Sequence, residues 1–203
     1  MIDRFLNAKH WQLFTLTFGI PALSQFFMMF FMIMNFSDNT DPDPLIMQSY
    51  MGVLFLIFII FASTFYGWFW SVSIGLQKTI PENIKMKIRR FKIFFFIPVV
   101  YIFLIMLFFV FFLPDFISNN IEPDIRQMAT VFAVIVPLHF LSMFSILHTL
   151  YFSAKTFKTA ELQREAEFSD FIGEFFMIWF YPIGIWIVQP KINKMINGQY
   201  TLK

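Results

Sequence analysis

Few side chains in this sequence could do chemistry, and those that could are scattered through apolar stretches. His139 stands well inside a long uncharged block, while Gln25, Ser24, Ser63 and Thr64 fall at similar expected depth in two others. An ionisable group at membrane depth is costly to keep, so it is a candidate for a proton path or a ligand contact. The same five residues could equally be hydrogen-bonded glue between helices. His148 follows about half a helical turn round from His139, so the two imidazoles cannot share one metal on one face.

Other patterns carry less chemistry. Ser63, Gly67, Ser71 and Gly75 recur at four-residue spacing, and small residues so placed let two helix backbones approach closely. That seam serves either packing within the chain or a homo- or hetero-oligomer contact through the second span. Asp38, Asp41 and Asp43 crowd a turn-rich stretch, but the Gly and bidentate Glu of a calcium loop are missing. Lys85, Lys87, Arg89, Arg90 and Lys92 are candidate contacts for anionic lipid head groups, each worth roughly 1 kcal/mol beside a charged surface. The chain has no Cys, which excludes disulfides, thiolate metal sites and cysteine nucleophiles. It also lacks a Gly-rich phosphate loop, HExxH, GxSxG and an intramembrane carboxylate pair. No catalytic, cofactor-binding or metal-binding residue is predicted, and no nucleic-acid partner.

The elements that must position these residues follow from composition. Of 203 residues, 58% are hydrophobic and 14% charged, against roughly 45–50% and about 25% in ordinary globular chains. That balance predicts an all-α polytopic transmembrane bundle forming a single membrane domain over 1–203. Four blocks reach the roughly 20 apolar residues a spanning helix needs: 11–36 with a kink at Pro21, 45–76, 93–113 and 129–152. The basic segment 77–92 joins the second and third, with Thr79 and Pro81 marking a helix start. Residues 153–170 lack Gly and Pro, so they predict continuation of the fourth helix into water, supported by pairs such as Glu161 and Arg164.

Charge placement sets the orientation. With four spans and the N-terminus in the cytoplasm, fourteen of the 15 Lys and Arg are cytoplasmic and only Arg126 is not. The segment 171–188 is ambiguous. Its charge-free core carries Pro182 and Gly184 and is short for a span, which favours a re-entrant or interfacial segment. A helix starting at Phe168 would instead reach across, with Glu174 near its cytoplasmic end.

The stretches Asn7-Ala-Lys-His-Trp-Gln-Leu-Phe14 and Tyr181-Pro-Ile-Gly-Ile-Trp-Ile-Val-Gln-Pro-Lys-Ile-Asn193 resemble motifs of a family of uncharacterised small polytopic bacterial membrane proteins. The resemblance covers the two ends of the chain. It implies no activity, only that the terminal segments are structurally set pieces. Together these features predict a protein of the cytoplasmic (inner) membrane, in contact with membrane lipids and acting as a non-enzymatic accessory, assembly or scaffold subunit. The alternative is a small oligomeric transporter or channel, with His139 and Gln25 on a polar path.

Overall fold

The computed structural model describes residues 1–36, 44–118 and 124–199, and among these there are helices and turns but no strands. In chain order the helices are α1 (Ile2–Asn7), α2 (His10–Phe14), α3 (Ile20–Phe36), α4 (Pro44–Trp70), α5 (Ile88–Ser118), α6 (Ile125–Leu162), α7 (Phe168–Trp179) and α8 (Tyr181–Ile196). A π-helical turn, Thr15–Gly19, joins α2 to α3, and a second, Ser71–Gly75, extends α4 into a 3-10 turn at Leu76–Thr79. Four stretches are long and apolar enough to cross a membrane: His10–Met34, Gln48–Thr79, Ile88–Phe108 and Ala129–Leu162. The fold is therefore the all-α bundle that the apolar blocks predict. The Asp38, Asp41 and Asp43 turn, Glu122 and Lys203 lie outside the described residues.

Pro21 acts on the turn before it. Proline has no N–H and its ring crowds the carbonyl four residues back, here that of Thr17. The π turn relieves this by widening the helix, and the Ile20 N–H bonds to the Thr15 carbonyl. The Thr17 hydroxyl donates to the Leu13 carbonyl at 2.7 Å, occupying an acceptor in the altered ladder.

Packing divides the molecule into two unlike halves. Leu6, Trp68, Val72, Phe91, Phe157 and Ile185 are all buried at one end, where the N-terminus, the 77–92 segment and the residues after α6 gather. We call this the basic end. Away from it, Phe26, Phe27, Phe30, Phe103 and Phe132 are exposed along the apolar helices. Lipid tails are as apolar as these side chains, so nothing pulls the helices together there by exclusion of water. Burial at the basic end comes instead from interlocked rings and hydrogen bonds.

Three expectations about the chain after the second span need correction. The third helix starts at Ile88 and not near Thr79 or Pro81, because Leu76–Thr79 closes the second span and most of 80–87 runs without helix. The fourth helix stops at Leu162, where Gln163 turns left-handed at φ 54°. The Gln163 side-chain amide holds this stop by donating to the carbonyls of Ala160 at 2.7 Å and Thr79 at 2.8 Å. Nor is this extension a solvated face, since Ser153, Ala154, Thr156, Phe157, Thr159 and Ala160 are buried. Composition could not reveal this, because the cover comes from distant residues: the Ser73 hydroxyl bonds that of Ser153 at 2.8 Å, Lys191 of α8 lies over the Phe157 ring, and α7 packs along the same stretch.

Residues 171–188 are not one straight helix. α7 ends at Trp179, Phe180 takes φ −84° and ψ 57°, and α8 folds back along α7. These angles are close to an inverse γ-turn. Pro182 sits in the first turn of α8, where its missing N–H costs nothing. At Gly184 the backbone runs so close to the Met177 carbonyl that no Cβ fits between them. Both ends of the hairpin meet the basic end. The Ala166 N–H, just ahead of α7, donates to the Thr159 hydroxyl at 3.2 Å, and Asn193 near the end of α8 donates to the Leu6 carbonyl at 2.7 Å.

Candidate functional site

The two terminal stretches pack against each other. A helix end leaves carbonyls without intrahelical partners, and α1 is so short that most of its carbonyls face this problem. Gln189 and Asn193, one turn apart on α8, supply the donors. The Gln189 Nε2 group donates to the carbonyls of Phe5 at 3.0 Å, Leu6 at 3.2 Å and Ala8 at 2.8 Å. Asn193 reaches Leu6 and also Ala8, the latter at 3.2 Å. The Gln189 carbonyl oxygen accepts from the Trp68 indole at 2.7 Å, so one fully buried amide ties α1, α4 and α8 together. Trp186 adds a ring contact with His10 at 4.5 Å and with Phe14 at 5.6 Å.

Four charged groups form a second tie. Lys158 on α6 lies 2.7 Å from Glu161 and 2.9 Å from Glu174 on α7, while Lys191 on α8 lies 3.4 Å and 3.9 Å from the same two acids. Both glutamates are buried, and a buried charge is retained only when paired. Spacing paired Arg164 with Glu161, but the bonds that hold its guanidinium lead elsewhere. Arg164 instead grips Asp170 with two bonds of 2.8 Å, at the first turn of α7.

The small-residue seam on α4 receives α1. A Cβ at Gly67 would meet the Phe5 ring at 2.7 Å, and one at Gly75 would meet Leu6 at 2.7 Å as well as Ile2. Ser71 donates back to the Gly67 carbonyl at 2.7 Å. Ser63 lines a shallow cavity towards α5, with Tyr66 and Val99. The seam thus meets a short helix at the basic end through its glycines, and α5 through Ser63.

The intramembrane polar residues do not assemble. The His139 Nδ1 atom pairs with the Tyr101 hydroxyl at 3.1 Å on an exposed face of α5 and α6. Thr64 is satisfied within its own helix, donating to the Ile60 carbonyl at 2.9 Å. Gln25 lines a cleft of about 530 Å³ between α3 and α4, with Thr17, Pro21, Phe58 and Phe61. His139 is not on that cleft. No hydrogen bond joins any two of His139, Gln25, Ser24, Ser63 and Thr64 among the described residues, because they sit on different helix faces. Nor does any group of three His, Cys, Asp or Glu gather there to hold a metal ion.

Charge and space do come together at one other place. A pocket of about 260 Å³ opens between the 85–90 segment and α6. One wall is formed by Lys85, Lys87 and Arg90; the other by His148, Tyr151 and Lys155, with Glu165 at the edge. Lys155 bonds Glu165 at 2.7 Å, and that bond holds the Glu165 carboxyl below its ordinary range. The His148 ring packs at a tilt against Phe94 with centroids 4.3 Å apart. Of the five residues expected to meet anionic head groups, the pocket takes Lys85, Lys87 and Arg90. Arg89 and Lys92 are not on it; Lys92 sits over the Trp70 ring at 5.9 Å. Lys155 could not be assigned to the pocket from sequence, because it is brought there from 65 positions beyond Arg90 by the packing of α5 on α6. No family model, curated protein or solved structure matches the chain, so the reading of this site rests on its own geometry.

Proposed function

We propose that the chain is a non-enzymatic accessory, assembly or scaffold subunit of the cytoplasmic membrane, with its basic end and both termini in the cytoplasm. What supports this reading is the division of the molecule into an interlocked basic end and a loosely packed apolar remainder. The first membrane-crossing stretch has only Leu13, Thr17 and Met28 buried among its described side chains. It leans on α4 across the cleft that Gln25 lines, with Leu23, Phe26, Phe27 and Phe30 exposed, the last two lining a second cleft with Tyr50 and Val53. A rigid anchor carrying an open apolar helix suits docking to another membrane-embedded chain, which can be a second copy. The basic end supports this orientation, since lysines and arginines are favoured on the cytoplasmic side.

Purification in a mild detergent, with a photo-crosslinking residue in place of Phe30, tests this. The expected result is a defined crosslinked species of higher mass, lost when the crosslinker is moved to the basic end. A chain that stays monomeric and uncrosslinked at native expression levels would contradict the reading.

A further inference from the structure

Four permanent cations, Lys85, Lys87, Arg90 and Lys155, line the pocket between the 85–90 segment and α6, against one carboxylate, Glu165. Lys85, Lys87 and Arg90 make no ion pair among the described residues, while Lys155 is engaged with Glu165. Placing like charges around one cavity is unfavourable unless an anion shares it. The pocket also lies beside the first turn of α5, a 31-residue helix whose dipole favours negative charge there. Its floor is aromatic, formed by Tyr151 and Phe152 with His148, and it sits where α6 passes from apolar sequence into the basic end.

We propose that this pocket binds a phosphate group, held chiefly by Arg90, Lys87 and Lys155, with Glu165 as a tethered competitor for the same cations. Phosphate fits better than a carboxylate. Its several strongly accepting oxygens can meet donors from both walls at once, and the guanidinium of Arg90 can take two of them in parallel. Glu165 gives the site its internal check. Its carboxylate occupies Lys155 when the pocket is empty and releases that lysine when a stronger anion enters. The proposal does not depend on the scaffold reading, because a transporter or an isolated bundle could carry the same pocket.

Two sources supply this chemistry, an anionic phospholipid head group and a free phosphate, and one experiment separates them. The full chain is purified in a zwitterionic detergent, and retention of phosphatidylglycerol against phosphatidylcholine is measured by native mass spectrometry. Inorganic phosphate is added as competitor. Lys87→Gln and Arg90→Gln are each expected to lower phosphatidylglycerol retention about fivefold, the effect of one cation beside an anionic surface. Glu165→Gln is expected to raise it by a similar factor, and Arg89→Gln and Lys92→Gln to change it less than twofold. Displacement by millimolar phosphate identifies the free anion as a sufficient ligand. Selective retention that phosphate does not displace identifies the lipid.

Either result supports the site, provided the pocket variants and the Glu165 variant move in opposite directions. Equal losses at all four substituted basic positions would show a diffuse surface charge and overturn it, as would retention indifferent to Glu165→Gln. Helix content and melting temperature of each variant are measured in the same detergent. Should Arg90→Gln fail to fold, Lys87→Gln and Glu165→Gln carry the test, since Lys87 and Glu165 are exposed.

Discussion

Replacing Gln189 with Leu should undock the N-terminal helix while leaving the membrane-crossing helices intact. The two side chains are similar in size, so the change removes hydrogen bonds with little change in volume. Gln189 is fully buried and accepts from Trp68 at 2.7 Å while donating to the carbonyls of Phe5, Leu6 and Ala8. An amide nitrogen has two hydrogens, so two of these three donations are full bonds and the third is shared. The losses are unequal. Leu6 and Ala8 keep bonds from Asn193, and Phe5 keeps one from the Ala8 N–H at 3.3 Å. The Trp68 indole, by contrast, is buried with no other acceptor among the described residues, and an orphaned donor costs about 1–3 kcal/mol.

Adding about 1 kcal/mol for the lost donations gives a total of roughly 2–4 kcal/mol. That corresponds to a shift in the docking equilibrium of about thirtyfold to several hundredfold. The chain is free of Cys, so a single cysteine at Leu6, itself only 1% exposed, reports undocking through its maleimide labelling rate. The rate should rise by that factor when Gln189→Leu is added to Leu6→Cys. Asn193→Ala should raise it less, because Gln189 still covers both of the carbonyls that Asn193 serves. Unchanged labelling, or an effect of Asn193→Ala exceeding that of Gln189→Leu, would refute the hydrogen-bond accounting.

Other perturbations should rank in ways the geometry dictates. Gly184→Ala forces a Cβ into the Met177 backbone and should cost about 1–3 kcal/mol or more by overpacking; Gly52→Ala, with nothing within 4 Å, should be neutral or slightly stabilising, as read from melting temperatures in detergent. Lys158→Met should destabilise more than Lys191→Met, because Lys158 lies 2.7 and 2.9 Å from the two buried glutamates against 3.4 and 3.9 Å for Lys191; equal thermal shifts would count against the four-charge tie. Asp170 is held below the usual carboxylate range, first by its bonds to Arg164 and then by the Glu167 N–H. Its contribution is therefore present above the ordinary carboxylate pKa and lost as pH falls through the lowered one. Asp170→Asn should flatten the acid limb of the melting-temperature profile, and an unaltered limb would rule out this pair as its source.

How much of this could be read in advance depends on the range of the interactions. The membrane-crossing helices were legible because apolar length is a local property, and blocks such as Ile93 to Leu113 leave no other use for so many large apolar residues. The kink was legible at Pro21, though not its form as a π turn over Thr15–Gly19. The closeness invited by Gly67 and Gly75 was readable from their spacing. That the visitor is α1 was not, since a six-residue helix gives no periodic signal. Gln189 and Asn193 stood within a stretch marked by resemblance, but only the hairpin at Phe180 brings them to Leu6 and Ala8. His139 illustrates the converse. Its depth marked it as a candidate, yet its rotational position turns it to Tyr101 and away from Gln25. The charged run after Phe152 looked solvated because its cover, the 71–79 turns and α7, is contributed by distant parts of the chain.

The chain is expected to cross the membrane four times and return through the α7–α8 hairpin, so that α1 and the end of α8 share its basic face. Single cysteines placed in this Cys-free background test it directly. Arg4→Cys and Lys194→Cys sit at exposed positions of the basic end, and Ile125→Cys, 80% exposed, sits at the far end of α6. Labelling with a membrane-impermeant maleimide is compared in right-side-out and inside-out vesicles. The cysteines at 4 and 194 are expected to react only from the cytoplasmic face and the one at 125 only from the opposite face. Reaction of the cysteine at 194 from the face opposite that at 4 would make α7–α8 a fifth crossing and contradict the account.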